Sequence, residues 1–139
     1  EVAGAPVLLV KPQTYYNLSG ECVAAVLGFF KVPPARLIVV HDELDLPAGR
    51  LRLKQGGSDA GNRGVRSVTE SLGTPDFIRV RVGIGRPPEG DDAKDYLLRV
   101  QSAQERQAME EWIARAAEAV DAIVRDGLER AMGRFNQRG

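Results

Sequence analysis

The polar run His41-Asp42-Glu43-Leu44-Asp45 follows directly on the apolar run Leu37-Ile38-Val39-Val40. A β-branched run that stops abruptly in polar groups sets those groups at the carboxyl end of a buried strand, where open α/β sheets keep their binding crevices. The five residues therefore read as the rim of a site. Two more polar clusters lie close in sequence: Tyr15-Tyr16-Asn17-Leu18-Ser19-Gly20 before the run, and the glycine-rich stretch from Gly56 to Gly64 after it. Three loops are available to converge on one cleft. Phosphate binding is the second chemistry on offer. Arg50, Arg52, Lys54, Arg63, Arg66, Arg79 and Arg81 face only Asp59, Glu70 and Asp76 across that stretch. Such a basic segment either binds phosphates or forms an ordinary solvated face. From Gln101 to Asp126 the balance reverses, with six acidic residues against three arginines, so the charges are segregated although the formal net charge is zero.

Positioning these groups requires a core, and 139 residues with a 43% apolar fraction fit one domain able to bury one. Cys22 is the single cysteine and cannot form an internal disulfide; with no recognisable signal peptide or membrane span, a cytoplasmic protein is expected. Cys22 stands among Val23, Ala24, Ala25 and Val26 and reads as a small core side chain rather than a reactive thiol. One histidine and no cysteine pair argue against zinc, so no metal is expected.

Val7 to Lys11 reads as a short strand cut off by Pro12. Asn17 or Ser19 caps a helix to about Phe30, with Val23, Val26, Leu27 and Phe30 on one face and Pro33-Pro34 closing it. Leu37 to Val40 is the next strand. Arg50 to Lys54 alternates polar and apolar residues, as does Phe77 to Ile84, which predicts two half-buried strands whose basic residues share a face. A helix from about Gly64 to Leu72 lies between them. Beyond the turn-rich segment Arg86 to Asp92, the residues Met109, Trp112, Ile113, Ala116, Val120, Ile123 and Val124 recur at helical spacing and predict an apolar stripe against the sheet. Gly127 ends that helix, and the tail from Leu128 to Gly139 is expected to be short, basic and frayed.

Four motifs in order and spacing carry a family resemblance. They are Tyr16-Asn17-Leu18-Ser19-Gly20; His41-Asp42-Glu43-Leu44-Asp45-Leu46-Pro47; Gly56-Gly57 with Asn62-Arg63-Gly64-Val65-Arg66-Ser67; and Arg79-Val80-Arg81-Val82-Gly83-Ile84-Gly85-Arg86-Pro87. Together they resemble the bacterial-type peptidyl-tRNA hydrolases from about Val7 to the C-terminus. Each alone is weak, but four in register are specific. The resemblance implies an α/β fold with a mixed central sheet packed between helices, acting as a monomer without cofactor on peptidyl-tRNA. The implied reaction is hydrolysis of the ester between the peptide and the tRNA, which recycles tRNA during translation.

In that family a histidine near the N-terminus is the general base and an aspartate orients it; the aspartate maps onto Asp42. A carboxylate bonded to one ring nitrogen fixes the tautomer and stabilises the imidazolium as the other nitrogen takes a proton from water. Asn17 matches the asparagine that positions substrate and attacking water, its amide offering donor and acceptor. Tyr15 corresponds to a tRNA-contact position, Tyr16 lines the site, and Lys54 and Arg81 match the basic pair that clamps the tRNA 5′-phosphate. Two departures stand out. The family's N-terminal strand and histidine motif are not among these residues, so the 139 residues are expected to be an N-terminally truncated domain, a product of a misplaced start, or a variant whose sheet is completed otherwise. His41 is the only histidine and directly precedes Asp42, so in a strand the two side chains point to opposite faces, which favours a structural role. The family's usual glycine-histidine-asparagine-glycine reads Gly61-Asn62-Arg63-Gly64 here. Asn62 can replace a neutral imidazole in hydrogen bonding while lining the site, and Arg63 adds a permanent charge able to hold a tRNA phosphate.

Two other readings remain open on sequence. One is a hydrolase-like protein that binds tRNA or another RNA without cleaving it. The other is an α/β domain whose glycine loop takes a small phosphorylated ligand, although no recognisable phosphate-loop pattern is present.

Overall fold

The chain alternates elements of period two and period 3.6, and each pattern finds its layer. A computed structural model describes residues 4, 6–10, 19–59, 61–85 and 103–136. Helix α1 (Ser19–Phe30) and a short 3₁₀ turn (Pro34–Arg36) lead into strand β1 (Ile38–Glu43). Strand β2 (Leu51–Gln55), helix α2 (Arg63–Leu72) and strand β3 (Ile78–Gly83) follow. Helices α3 (Ala103–Asp126) and α4 (Leu128–Phe135) close the described chain. The sheet order is β1-β3-β2, with β1 parallel and β2 antiparallel to the central β3, so the α/β class and mixed sheet expected from sequence are present.

Alternation along the strands divides the core in two. Leu51, Leu53 and Val80, with Ile38, Ile78 and Val82, meet Ala116, Ala119, Ala122 and Ile123 of α3 and Ala131 and Phe135 of α4. On the other face Val39 and Phe77 meet Val23 and Leu27 of α1 and Val65 and Val68 of α2. The two helices on that side approach closely because α1 carries Gly20 at the contact: its amide donates to Ser67 Oγ at 2.8 Å, and a Cβ there would stand 2.0 Å from the Ser67 carbonyl oxygen. Helix α2 starts at Asn62, whose side-chain oxygen accepts the Val65 amide at 3.0 Å, and stops at Gly73 in the left-handed region (φ 73°).

Five expectations need correction. Residues 6–10 form no strand and are exposed, Leu9 by 88%; an apolar run becomes a strand only where a neighbour completes its ladder, and none does so among the described residues. The strand expected over Leu37 to Val40 begins one residue later and runs on through Glu43, because His41, Asp42 and Glu43 pair with Arg81, Val82 and Gly83. On α1 the buried face is Gly20, Val23 and Leu27, while Phe30 is exposed; on α3 it is the alanines and Ile123, while Ile113 is exposed. Small side chains let α3 lie close on the sheet, so the stripe of large residues is not the one buried most deeply. The tail is not frayed up to Asn136. Ala131 and Phe135, one helical turn apart, are buried against the sheet, and the Asn136 side chain pairs with the outer edge of β2, accepting the Leu53 amide at 2.7 Å and donating to the Leu53 carbonyl at 2.9 Å. An amide thereby covers an edge where another strand could otherwise add.

Candidate functional site

Two groups of side chains are held at the two ends of the segment that joins β2 to α2. The first is built on β1. Asp42 is half-buried near the end of the strand, and Asn62, entering α2, donates from Nδ2 to Asp42 Oδ1 at 3.1 Å and more weakly to the Asp42 carbonyl at 3.3 Å. Since Asn62 Oδ1 is occupied by the Val65 amide, both ends of the side chain are committed and its orientation is fixed. Asn62 therefore does more than line the site: it holds the Asp42 carboxylate. Arg63 follows at the first position of α2, exposed. Asp42 also borders a groove of about 270 Å³ whose walls include Val40, Val82, Ile84, Met109 and Trp112.

The second group is cationic. In the antiparallel register Lys54 faces Arg79 and Arg52 faces Arg81, so the basic residues of β2 and β3 do share a face, as the alternation predicted. They differ in exposure. Lys54 is exposed, whereas Arg79 is fully buried and Arg81 is 9% exposed. Arg81 Nη1 lies 3.4 Å from Glu43 Oε1, and its Nη2 is 3.5 Å from the Ser58 carbonyl. Gly56 (φ 72°) and Gly57 (φ 95°) both take left-handed backbone, and a Cβ on Gly57 would meet Lys54 Nζ at 3.1 Å and Arg81 Nη2 at 3.5 Å. Lys54 and Arg81 thus converge on the bare backbone of one glycine. Two cations at that spacing suit a doubly charged, oxygen-rich group such as a phosphate.

The loop between the two groups is tied down. The Gly56 amide donates to the Phe77 carbonyl, and Asn62 donates its amide to the Asp59 carbonyl at 2.8 Å. Asp59 Oδ1 accepts the Gly61 amide and its Oδ2 accepts Arg66 Nε; these two bonds, the backbone one foremost, hold its carboxyl below the usual carboxylate range. The pairing with Arg66 is largely solvated and serves to shape the turn rather than to stabilise the fold.

His41 pairs with Arg81 in the sheet but is turned away from the Asp42 carboxylate. Its Nδ1 hydrogen goes to the Asp42 carbonyl at 2.9 Å, Nε2 is buried with no partner, and the ring lies on the face opposite the Asp42 side chain. Burial lowers its pKa below the ordinary 6.5; Arg81 pushes the same way, against the Asp42 carbonyl and the charges of Glu43 and Asp42. With the folded-state pKa depressed, the unfolded chain binds the proton more readily. The contribution of the neutral ring is complete above about 6.5 and is lost as pH falls from there through the folded-state pKa. Melting temperature should therefore decline as pH falls below about 6.5, and His41→Asn should flatten that decline. An unchanged profile in the variant would exclude His41 as its source.

Of the residues singled out in the sequence, Asp42 with Asn62 and Lys54 with Arg81 are brought together; Tyr15, Tyr16 and Asn17 lie outside the described residues. The sequence reading included Glu43, Ser58 and Arg79 in its motifs but gave none of them a role of its own in the site. Strand alternation held the clue, since Glu43, Arg79 and Arg81 fall on the same face as Val39 and Phe77 and must turn inward with them.

Known proteins resemble this chain along most of its length. The profile of the family described as peptidyl-tRNA hydrolase matches residues 1–139. The peptidyl-tRNA hydrolase of Frankia alni is 48% identical over 135 residues, covering 97% of this chain and 68% of that protein. That of Thermus thermophilus is 51% identical over 129 residues, covering 93% and 70%. A crystal structure of peptidyl-tRNA hydrolase from Acinetobacter baumannii superimposes with a TM-score of 0.79 at 33% identity, covering 90% of this chain and 63% of that one. The chain thus spans somewhat under two thirds of the crystallised chain it matches. Among the described residues no helix is long and apolar enough to cross a membrane. With the motifs, the mixed sheet and these likenesses in agreement, the chain belongs to the peptidyl-tRNA hydrolase family.

Proposed function

We propose that the protein of which these residues form a domain hydrolyses the ester between a peptide and the 3′-terminal ribose of tRNA. Water adds to the ester carbonyl, the ribose oxygen leaves, and free tRNA and a peptide carboxylate result. The observation that carries this reading is that the segment between β2 and α2 holds an oriented carboxylate, Asp42, at one end through Asn62 and borders a converged cation pair, Lys54 and Arg81, at the other beside Gly57. Asp42 fixes the tautomer of the general-base histidine that the family carries near its N-terminus, and stabilises the imidazolium formed when water gives up its proton. His41, turned to the other face, is not that base. Asn17 positions substrate and water, Tyr15 contacts tRNA, and Tyr16 and Asn62 line the site. Arg63 holds a phosphate of the acceptor end, while Lys54 and Arg81 clamp the 5′-phosphate. We further propose a monomer without cofactor or metal, acting where its substrate is, in the cytoplasm.

The test uses an N-blocked aminoacyl-tRNA and a protein in which these residues are joined to the family's histidine-bearing N-terminal segment. Asp42→Ala should lower kcat about a hundredfold with little change in KM, whereas Arg63→Ala should raise KM with kcat nearly unchanged. Equal effects of both variants on both parameters would contradict the assigned roles. Tight tRNA binding without cleavage by that protein would favour an RNA-binding role instead.

A further inference from the structure

Arg79 has no surface with which to touch a ligand, yet it ties together two segments that frame the site. It is fully buried, the largest side chain to be so among the described residues, and its guanidinium lies 4.5 Å from the centre of the Phe77 ring. One end donates to the Pro75 carbonyl at 3.0 Å and the other to the Ser58 carbonyl. The Ser58 carbonyl is also the acceptor approached by Arg81 Nη2. Ser58 follows Gly57, over which Lys54 and Arg81 converge. A planar fork with donors at both ends can hold two carbonyls at a set separation; a lysine of similar length and equal charge presents a single ammonium and cannot.

We infer that Arg79 is a positioning residue for the anion site: by bridging the Pro75 and Ser58 carbonyls it fixes the Gly57 loop where Lys54 and Arg81 share one phosphate. This rests on the proposed clamping of a 5′-phosphate. Without the bridge, Ser58 and its neighbour Gly57 move relative to β3, and the two cations no longer bind the same group. Contacts elsewhere along the tRNA are unaffected, so the loss is confined to recognition of the phosphate.

The experiment measures affinity for tRNA carrying and lacking its 5′-phosphate. Wild-type protein should favour the phosphorylated form by about tenfold, and Lys54→Ala should lose that preference. Arg79→Lys and Arg79→Gln should lower the ratio to within about twofold of unity while leaving affinity for dephosphorylated tRNA at the wild-type value. A wild-type ratio retained in folded Arg79→Lys, with Lys54→Ala losing it, would overturn the positioning role and leave the clamp standing. No preference in the wild type would overturn both. A general loss of affinity for both tRNAs would mark Arg79 as merely structural. Should neither Arg79 variant fold, the wild-type protein supplies the test through proton exchange of the Arg79 guanidinium by NMR. Slow exchange with and without the phosphorylated tRNA is expected, and fast exchange in the free protein would overturn the bridge.

Discussion

Alanine at position 20 should destabilise the protein by about 4 kcal/mol, beyond the usual range for an overpacked core, and lower its melting temperature by more than about 10 °C. The added methyl would stand 2.0 Å from a main-chain carbonyl oxygen, that of Ser67, and 2.4 Å from its carbon. Neither atom belongs to a side chain that can swing away. Relief requires α1 to lift off α2, which opens the cluster formed by Val23, Leu27, Val65, Val68 and Phe77. The hydrogen bond from the Gly20 amide to Ser67 Oγ would be lost with it. Ser67→Ala removes that bond alone and should cost about 1 kcal/mol. Because the collision is with backbone, a Ser67→Gly change added to Gly20→Ala should rescue nothing. Thermal or urea denaturation of the three variants checks this, and a Gly20→Ala protein as stable as Ser67→Ala would show that the helices are not packed this closely.

The two clamp cations should behave differently when removed. Arg81→Ala leaves the Glu43 carboxylate buried without the guanidinium 3.4 Å away, a loss of about 3–5 kcal/mol for breaking a buried pair by one partner. Lys54 is exposed, and Lys54→Ala should leave the melting temperature unchanged. Both should weaken tRNA binding and flatten its dependence on salt, each by about 0.7–0.9 in the slope of log K against log salt. Adding Glu43→Ala to Arg81→Ala removes the stranded charge, so stability should partly return while affinity does not. Affinity and salt slope unchanged in Lys54→Ala would remove the clamp from the account altogether.

What could be read in the sequence was whatever repeats within one element. Leu51 and Leu53 alternate with Arg52 and Lys54, and the strand with its exposed basic side is there; Asn62 precedes a helix that Gly73 ends. The two polar loops around Asp42 and Asn62 converge as expected. What could not be read depends on partners far along the chain. Val7 to Val10 has strand composition, but pairing rather than composition makes a strand. Leu128 to Phe135 looked like a basic tail because Ala131 and Phe135 have no meaning until a sheet lies beneath them. Glu43 and Arg81 stand 38 residues apart, and nothing local shows that each turns inward to meet the other. The arginines of β3 were legible as a pair, but not as one residue reaching the anion site beside Gly57 and one fully buried support.

The bond that closes the β2 edge reaches across 83 positions, from Leu53 to Asn136. A ribosome makes the chain from its N-terminus, so β2 emerges long before the residue that covers it. Throughout that interval the Leu53 amide and carbonyl are open to any extended segment nearby, including another nascent copy. A contact of such long range also forms late, since the intervening loop must close first. Its loss therefore falls on the unfolding rate rather than the folding rate. Asn136 acts as a latch: it governs how long a finished molecule stays folded and has little say in how quickly it gets there.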